Sequence, residues 1–285
     1  MKIAIISVGV VIIIGLGVFF MLDKDPETVT PANQSTGTQT NQAYTNQTQP
    51  ANTGYTNDAS TASAVQWQNT QNGWVATGTP PACPTPLFAS PVELTDVTAI
   101  LYPGQTRGEY KPHGGFRFDN AKTTAVSVTA PADAEIVRGG RYLINGEVQY
   151  TFDFIMPCGM MYRLGHLLVL TPKFQAIVDT FPAAQEMDSR TTNVNPYVNV
   201  TAGEEIATAV GVTKGGLNVF FDFGVYDLTK KNAASQNASY AASHDLELAQ
   251  HAVCWFDYLP AADETRIRSL PAGDPTAGKT SDYCL

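Results

Sequence analysis

An uncharged apolar run at residues 3–22 is the sequence feature that most limits how this chain folds. The run is rich in Ile, Val, Leu and Phe, and at about 1.5 Å per residue its length matches the roughly 30 Å hydrocarbon core of a bilayer. A cleaved signal peptide is the alternative, but bulky residues follow Gly15 and Gly17, where a cleavage site needs small ones. We predict an uncleaved transmembrane anchor over residues 1–22.

The charges that flank this run predict its orientation. Lys2 precedes it, whereas Asp23, Asp25 and Glu27 outweigh Lys24 after it. Because positive flanks stay in the cytoplasm, we expect the N-terminus inside and the C-terminal domain outside the cytoplasmic membrane. The chain is then a single-pass membrane protein of the cell envelope, held to the membrane by its N-terminal helix.

A long polar segment follows the predicted anchor. Residues 23–82 are mainly Thr, Asn, Gln, Ala and Gly, and Asp58 is the only charged residue between Thr28 and Ala82. A segment without apolar periodicity cannot offset its chain entropy, so we predict a disordered linker. The net charge of the whole chain is −9 and no basic block occurs. This composition argues against a nucleic-acid partner.

All four cysteines lie in residues 83–285, which we predict to be one folded domain. An even number of cysteines outside the cytoplasm predicts disulfides, and no pair has the close spacing that favours a metal site. Of the three possible pairings we favour Cys83–Cys158, at the domain entrance, and Cys254–Cys284, which would staple the C-terminal tail.

The pattern past residue 83 predicts a mainly β domain with two short helical insertions. Alternating, β-branched and aromatic residues separated by Gly, Pro and Asn-Gly turns are typical of strands. Asn145-Gly146 predicts a hairpin turn, and Thr171 followed by Pro172 predicts the start of a helix over residues 171–180. A second helix is predicted from residue 243 to about 256. The predicted strands are residues 115–119, 124–129, 134–137, 141–144, 147–155, 166–170, 197–200 and 218–226.

Five short motifs carry a resemblance to a known family. In order they are His113-Gly-Gly-Phe-Arg-Phe-Asp119, Thr129-Ala-Pro-Ala-Asp-Ala-Glu-Ile-Val137, Tyr162-Arg-Leu-Gly-His-Leu167, Val200-Thr-Ala-Gly-Glu-Glu-Ile-Ala-Thr-Ala-Val-Gly211 and Phe220-Phe-Asp-Phe-Gly-Val225. Their order resembles the LytM/lysostaphin-like zinc endopeptidases, whose pattern runs H-x-G-x-D, V-x-A-P-x-x-G-x-V, Y-x-H, V-x-x-G-x-x-I-x-x-x-G and H-x-H-F. The resemblance covers about residues 113–227, with an insertion between residues 170 and 197. It implies a duplicated hybrid motif fold, an antiparallel sheet with hairpins like those of biotinyl/lipoyl domains, and action on peptidoglycan.

The catalytic positions of that family are only partly kept. The family binds zinc through the first histidine, the aspartate four residues later and the second histidine of H-x-H. His113 matches the first ligand, but Arg117 stands at the aspartate position, with Asp119 two residues further, and Asp222 stands at the second H-x-H position. The histidine of Y-x-H, which has an acid/base or transition-state role in the family, is matched by His166 at a wider spacing.

The leading hypothesis from these positions is a degenerate, non-catalytic domain. Arg117 and Asp222 would form an ion pair where the family holds its metal, and no cofactor would be bound. Phe220 replaces the first histidine of H-x-H, and a phenyl ring neither transfers a proton nor stabilises an oxyanion. The expected partner is peptidoglycan or an envelope protein, bound without hydrolysis.

An active enzyme is the alternative. His113, Asp119 and Asp222 would supply one nitrogen and two oxygens to zinc, which usually takes three protein ligands and a water. His166 would act as the acid/base catalyst. The chain would then be a metallo-endopeptidase that cleaves peptidoglycan peptides with an altered ligand set.

Overall fold

The computed structural model of the chain describes residues 65–70, 73–245 and 247–284. The predicted anchor and the linker up to residue 64 lie outside these ranges. The described residues all belong to one structural unit, residues 59–285. In the three ranges, no helix has both the length and the apolarity that a membrane span requires.

Strands dominate the described residues and confirm a mainly β fold. They are β1 (Trp67–Thr70), β2 (Gly73–Ala76), β3 (Ala99–Leu101), β4 (Gln105–Arg107), β5 (Glu109–Lys111), β6 (Gly114–Arg117), β7 (Val128–Thr129), β8 (Ala134–Ile144), β9 (Glu147–Ile155), β10 (Met160–Leu170), β11 (Thr192–Val200), β12 (Glu205–Val210) and β13 (Phe220–Asp227). The predicted Asn145-Gly146 turn joins β8 to β9, with φ angles of 53° and 70°. Positive φ at both residues is what a type I′ hairpin turn needs.

Nine of these strands form one antiparallel sheet. Its order is β11-β8-β9-β10-β13-β6-β3, and β12 joins it by pairing with β10 and β7. Strand β10 pairs with β9, β12 and β13, so it occupies the centre of the sheet. The pairs β1-β2 and β4-β5 are separate two-stranded sheets.

In the described ranges, three short α-helices lie outside the sheets. They are α1 (Pro172–Val178), α2 (Ala238–Ser243) and α3 (Ala261–Ser269). Helix α1 confirms the helix predicted over residues 171–180, and it buries Phe174 and Val178 against the sheet.

The helix predicted from residue 243 to about 256 is wrong. Helix α2 ends at Ser243, and residues 251–253 run beside β13. Asp227 N donates to His251 O at 2.9 Å, and Val253 N donates to Val225 O at 3.0 Å. Because these backbone groups bond to the sheet, they are not available for a helix, whatever the local apolar pattern favours.

The two faces of the large sheet bury different sets of side chains. One face carries the main core, an aromatic cluster that includes Phe116, Phe154, Tyr162, Phe223 and Trp255, each no more than 1% exposed. The opposite face, called the second face below, buries a smaller apolar cluster at one end. Its members are Trp67, Val137, Ile155, Met161, Tyr226, Leu228 and Ala252. The side chains at alternate positions along β13 continue from Tyr226 on this second face towards Asp222.

A hairpin at the domain entrance changes the predicted linker boundary. Strands β1 and β2 lie within residues 23–82, which we predicted to be disordered, and Trp67 is buried against the second face. Trp67 Nε1 donates to Pro157 O at 3.1 Å, and Tyr197 OH donates to Trp67 O at 3.0 Å. The ordered part of the chain therefore begins well before Cys83, because Trp67, together with Val65, Trp74 and Ala76 packed against its cluster, supplies the apolar surface that docks an otherwise polar hairpin.

Both disulfides join the predicted pairs. Cys83–Cys158 has a Cα–Cα distance of 5.2 Å and Cys254–Cys284 one of 4.9 Å. The first fixes the entrance segment to the turn between β9 and β10, and the second fixes the C-terminal tail to the segment after residue 253. Two disulfides are consistent with an oxidising compartment outside the cytoplasm.

A buried ion cluster occupies the second face beside the apolar patch. Asp153 is 0% exposed; its Oδ2 lies 2.7 Å from Arg138 Nη2 and its Oδ1 lies 2.5 Å from Arg163 Nε. Arg138 also pairs with Glu247, whose Oε1 accepts from Trp74 Nε1 at 2.8 Å. Burial alone would raise the pKa of Asp153, but Arg163 and Arg138 outweigh it and lower the pKa below 3.8.

We expect Asp153→Asn to lower the free energy of unfolding by about 3–5 kcal/mol at neutral pH, because it removes the carboxylate paired with Arg163 and one of the two paired with Arg138. The pKa of Asp153 is lower in the folded state than in the unfolded state. Its contribution to stability is therefore present above about pH 4 and is lost as the pH falls through the folded-state pKa. Urea unfolding of the full-length chain, followed by tryptophan fluorescence across this pH range, measures both effects.

Asp188→Asn is the matched control, because Asp188 pairs with an Arg190 side chain that is 86% exposed. Surface pairs of this kind contribute little, so its urea midpoint should equal that of the wild type. Equal losses in both variants, or a difference for Asp153→Asn that does not narrow in acid, would contradict the assignment.

Candidate functional site

Asp222 lies on the second face at a place where the neighbouring strands carry glycines. It pairs with Gly165 on β10 and with Gly115 on β6. A Cβ at Gly165 would lie 3.4 Å from Asp222 Cβ and 3.7 Å from its Oδ2. The two glycines therefore leave the carboxylate in a depression of the sheet surface, open to groups that approach from above.

His113 reaches this carboxylate from the residue before β6. Its Nε2 lies 3.1 Å from Asp222 Oδ2. The imidazole passes over Gly224, where an added Cβ would lie 2.9 Å from His113 Cβ. Arg107 Nη2 donates to the His113 carbonyl at 3.1 Å and fixes the backbone there.

His166 reaches the same oxygen from a β-bulge in β10. Leu164 pairs with Phe152 and Leu167 with Tyr150, so β10 has one residue more than β9 over this stretch. His166 has a φ of 59°, and its carbonyl accepts from Gly211 N at 2.9 Å. The bulge turns the imidazole towards β13 and places Nε2 3.4 Å from Asp222 Oδ2.

The electrostatics of the site favour a charged carboxylate beside a neutral imidazole. Asp222 is 17% exposed; burial would raise its pKa, but His113, His166 and Arg107 outweigh burial and lower the pKa well below 3.8. Burial lowers the pKa of His166 more than Asp222 raises it, and His113 and Lys111 lower it further. In the part of the chain that the structure describes, His166 Nδ1 is buried without a hydrogen-bond partner.

A cleft of about 200 Å³ opens above these three side chains. Glu109 and Lys111 of β5 line one side, and Tyr142 of β8 lines the other. Met187 and Ser189 come from the insertion after α1 and form part of the wall. The insertion is held there because Leu143 N donates to Gln185 O and Met187 N donates to Leu143 O, each at 2.9 Å.

Arg117 and Asp119 lie outside this cleft, which corrects two predictions. Arg117 Nη2 lies 2.6 Å from Asp119 Oδ1, and Thr98 Oγ1 donates to Asp119 Oδ2 at 2.9 Å. The guanidinium therefore pairs with Asp119 and not with Asp222. The physical reason is proximity. Asp119 is only two residues from Arg117 at the end of β6, whereas Asp222 lies opposite Gly115, two positions further along the paired strands.

Phe220 is on the same face as Asp222, two residues earlier on β13. Its ring centroid lies 4.5 Å from that of His166. The phenyl ring thus packs against the imidazole at the position where the resemblance implies an acid/base histidine. Unlike a histidine at this position, the phenyl ring of Phe220 offers His166 no group with which to exchange a proton.

The predicted ligand set does not fit a zinc ion, because Asp119 is held by Arg117 and Thr98 away from His113 and Asp222. In the described residues, no group of three or more His, Cys, Asp and Glu side chains has an arrangement that would hold a metal ion. What the fold does bring together is His113, His166 and Asp222. His113 and Asp222 were predicted as metal ligands, and His166 was predicted as the acid/base catalyst.

Several cleft residues were not identified from the sequence. Glu109, Lys111 and Tyr142 belong to no motif, and Met187 and Ser189 lie in the insertion that the resemblance leaves unassigned. One signal was available for β5, because alternate residues of the segment before His113 share a face with it. No local pattern indicates that the insertion folds back over the cleft.

Comparisons with protein-family models, with curated proteins and with solved structures find no match for this chain. The LytM resemblance therefore stays a prediction. The cleft on the second face of the sheet combines one carboxylate, two imidazoles and a lining of mixed polarity.

The glycine beneath His113 gives a test of the site geometry. We expect Gly224→Ala to lower the free energy of unfolding by about 1–3 kcal/mol, because the new Cβ would lie 2.4 Å from Tyr226 OH and 2.9 Å from His113 Cβ. The His113 imidazole signal in NMR spectra should shift as well. Gly78→Ala is the control, since its Cβ would meet only Val65 at 3.7 Å. A Gly224→Ala chain with wild-type stability and an unmoved His113 signal would show that this packing is wrong.

Proposed function

We propose that this chain is a membrane-anchored protein of the cell envelope with a degenerate LytM-like domain. In this proposal the domain binds peptidoglycan, through its peptides, in the cleft around Asp222 and does not hydrolyse it. An envelope protein is the other partner class, and the experiment below distinguishes the two.

The proposal rests on the residues that stand at two positions where the family needs a metal ligand and an acid/base histidine, Arg117 and Phe220. Arg117 is engaged with Asp119, and Phe220 packs against His166. A guanidinium does not coordinate a cation, and a phenyl ring does not move a proton. The two positions together remove one metal ligand and one acid/base group from the set that the family uses.

The cleft keeps the chemistry of a binding site for peptides. Asp222 offers an ionised acceptor, and the imidazoles of His113 and His166 offer donors or acceptors. Lys111 adds a donor at the side of the cleft, and the buried Tyr142 adds a hydroxyl in its wall. Peptidoglycan stem peptides carry amides, carboxylates and amines, which need such a mixture of donors and acceptors. A cleft of about 200 Å³ accepts one or two residues of such a peptide.

Co-sedimentation of the full-length chain with purified sacculi tests this function. We expect the wild type to sediment with sacculi and to release no peptide fragments. Asp222→Asn should weaken binding by about tenfold or more, because it removes the charge at the floor of the cleft while keeping the shape of the side chain.

Asp119→Asn is the matched control for this experiment. Asp119 is another aspartate among the predicted site residues but lies outside the cleft, so its variant should bind sacculi like the wild type. Equal binding by Asp222→Asn and the wild type would refute the cleft as the binding site. No sedimentation of the wild type would refute peptidoglycan and leave an envelope protein as the partner class to be sought.

A second candidate function is a metal-dependent endopeptidase, and one observation favours it. The Nε2 atoms of His113 and His166 lie 3.1 and 3.4 Å from one oxygen of Asp222, so three side chains of two types that coordinate zinc, imidazole and carboxylate, converge on one point. As they stand, these three side chains are not in an arrangement that would hold a metal ion, so they would have to move apart to hold zinc in place of the predicted set. Bound zinc would supply a Lewis acid and an activated water.

Elemental analysis of the full-length chain after dialysis against zinc decides between the candidates. The leading proposal expects no stoichiometric zinc and no chelator-sensitive cleavage of sacculi. One zinc per chain, with cleavage that EDTA abolishes and His113→Ala removes, would replace the binding function by the enzymatic one.

A further inference from the structure

The C-terminal tail lies along the hairpin that forms one side of the cleft. Gln105 of β4 is 4% exposed, and its Nε2 donates to Gly278 O at 2.9 Å and to Thr280 O at 2.6 Å. Asp282 N donates to Gly104 O at 3.0 Å, and Ser281 Oγ donates to Pro103 O at 2.5 Å. The tail is therefore bonded to the first residue of β4 and to the two residues before it.

Three tyrosine hydroxyls join the tail to β5 and α2. Tyr110 OH lies 2.9 Å from the hydroxyls of Tyr240 and Tyr283, which lie 2.6 Å from each other. Two acceptors lie beside the network: Asp282 Oδ2 is 2.8 Å from Tyr110 OH, and Ala249 O is 3.0 Å from the hydroxyls of Tyr240 and Tyr283. Each hydroxyl has one proton, so the three hydroxyls share these contacts and donate to only three of them at a time. We name these three residues the tyrosine triad.

The tyrosine triad is packed as well as hydrogen-bonded. The His244 ring lies 3.9 Å from the ring of Tyr110 and 4.1 Å from that of Tyr240, measured between centroids. A Cβ at Gly104 would lie 2.9 Å from the ring of Tyr283. Burial raises the pKa of each triad tyrosine above 10, so the hydroxyls stay protonated and keep donating.

The hairpin in turn holds the backbone of His113. Arg107 of β4 donates through Nη1 to Tyr102 O at 2.6 Å and through Nη2 to His113 O at 3.1 Å. Lys111, at the end of β5, lines the cleft two residues before His113. A displacement of the hairpin therefore moves both the rim of the cleft and one of the two imidazoles on Asp222.

The end of the tail is fixed covalently to the core. Cys284 is bonded to Cys254, next to Trp255, whose ring packs against Phe116 and Phe223. A Cβ at Gly114 would lie 2.8 Å from Trp255 Nε1. The tryptophan that follows the disulfide-bonded Cys254 in the chain thus packs next to Gly114, the residue after His113.

We propose that the C-terminal tail is a positioning element for the cleft: it sets the place of His113 and Lys111 through the tyrosine triad, Arg107 and the Cys254–Cys284 bond. The inference concerns the geometry of the site on which the proposed function rests. It assigns a role to residues 278–284 that is separate from the chemistry of any ligand.

Histidine-selective NMR of the full-length chain tests this proposal without a ligand, because the chain has only 4 histidines. The variant His113→Gln identifies the His113 signal. We expect Tyr283→Phe, which removes one hydroxyl and keeps the ring, to shift the His113 imidazole signal, and Cys254→Ser/Cys284→Ser to shift it further. Cys83→Ser/Cys158→Ser is the matched control and should leave the signal in place, since that disulfide fastens the entrance segment.

An unmoved His113 signal in Tyr283→Phe overturns the proposal, and this variant decides if the double cysteine variant unfolds. An equal shift in the control disulfide variant also overturns it, because the effect is then a general loss of stability. Binding to sacculi gives a separate readout: Tyr283→Phe should weaken it by about threefold, as the loss of one buried hydrogen bond implies. A shifted signal with unchanged binding would refute the proposed function of the cleft and leave the positioning role standing.

Discussion

The carboxylate of Asp153 is the interaction on which the second face of the sheet depends. It lies at 0% exposure between Arg138 and Arg163, and the three residues form one row across β8, β9 and β10. Without it, Arg163 would lose its carboxylate and Arg138 would keep only Glu247, so two guanidinium groups would face each other with one counter-charge between them. With it, the row separates the apolar patch under the β1-β2 hairpin from the open cleft around Asp222.

The cleft exists mainly because glycines, which have no side chain, surround Asp222. Gly115 and Gly165 flank Asp222, and Gly224 leaves room for His113. The bulge at His166 then supplies the second imidazole from the central strand. A carboxylate in such a depression is shielded from water on its sides and reachable from above, which suits recognition of a polar ligand and gives the neighbouring imidazoles one common partner.

The sequence predicted those parts of the fold that local patterns govern. Residues 147–155 alternate and became β9, Asn145-Gly146 became the hairpin turn, and both disulfides joined the expected cysteines. The predictions that failed depend on partners far along the chain. Residues 251–253 bond to β13 instead of forming a helix, and Trp67 docks a hairpin whose polar composition indicates disorder.

The candidate site shows the same division between what local sequence patterns predict and what distant contacts decide. The sequence by itself selected five candidates, His113, Arg117, Asp119, His166 and Asp222, because they fall in an ordered series of motifs that resembles the LytM family and because histidine is scarce in the chain. Only the tertiary structure decided which of the candidates meet: a strand-end contact took Arg117 and Asp119 out of the cleft, and a bulge turned His166 into it. The physical reason is that spacing along a strand sets the face of a side chain, whereas register, bulges and competing partners set where its charged end lies.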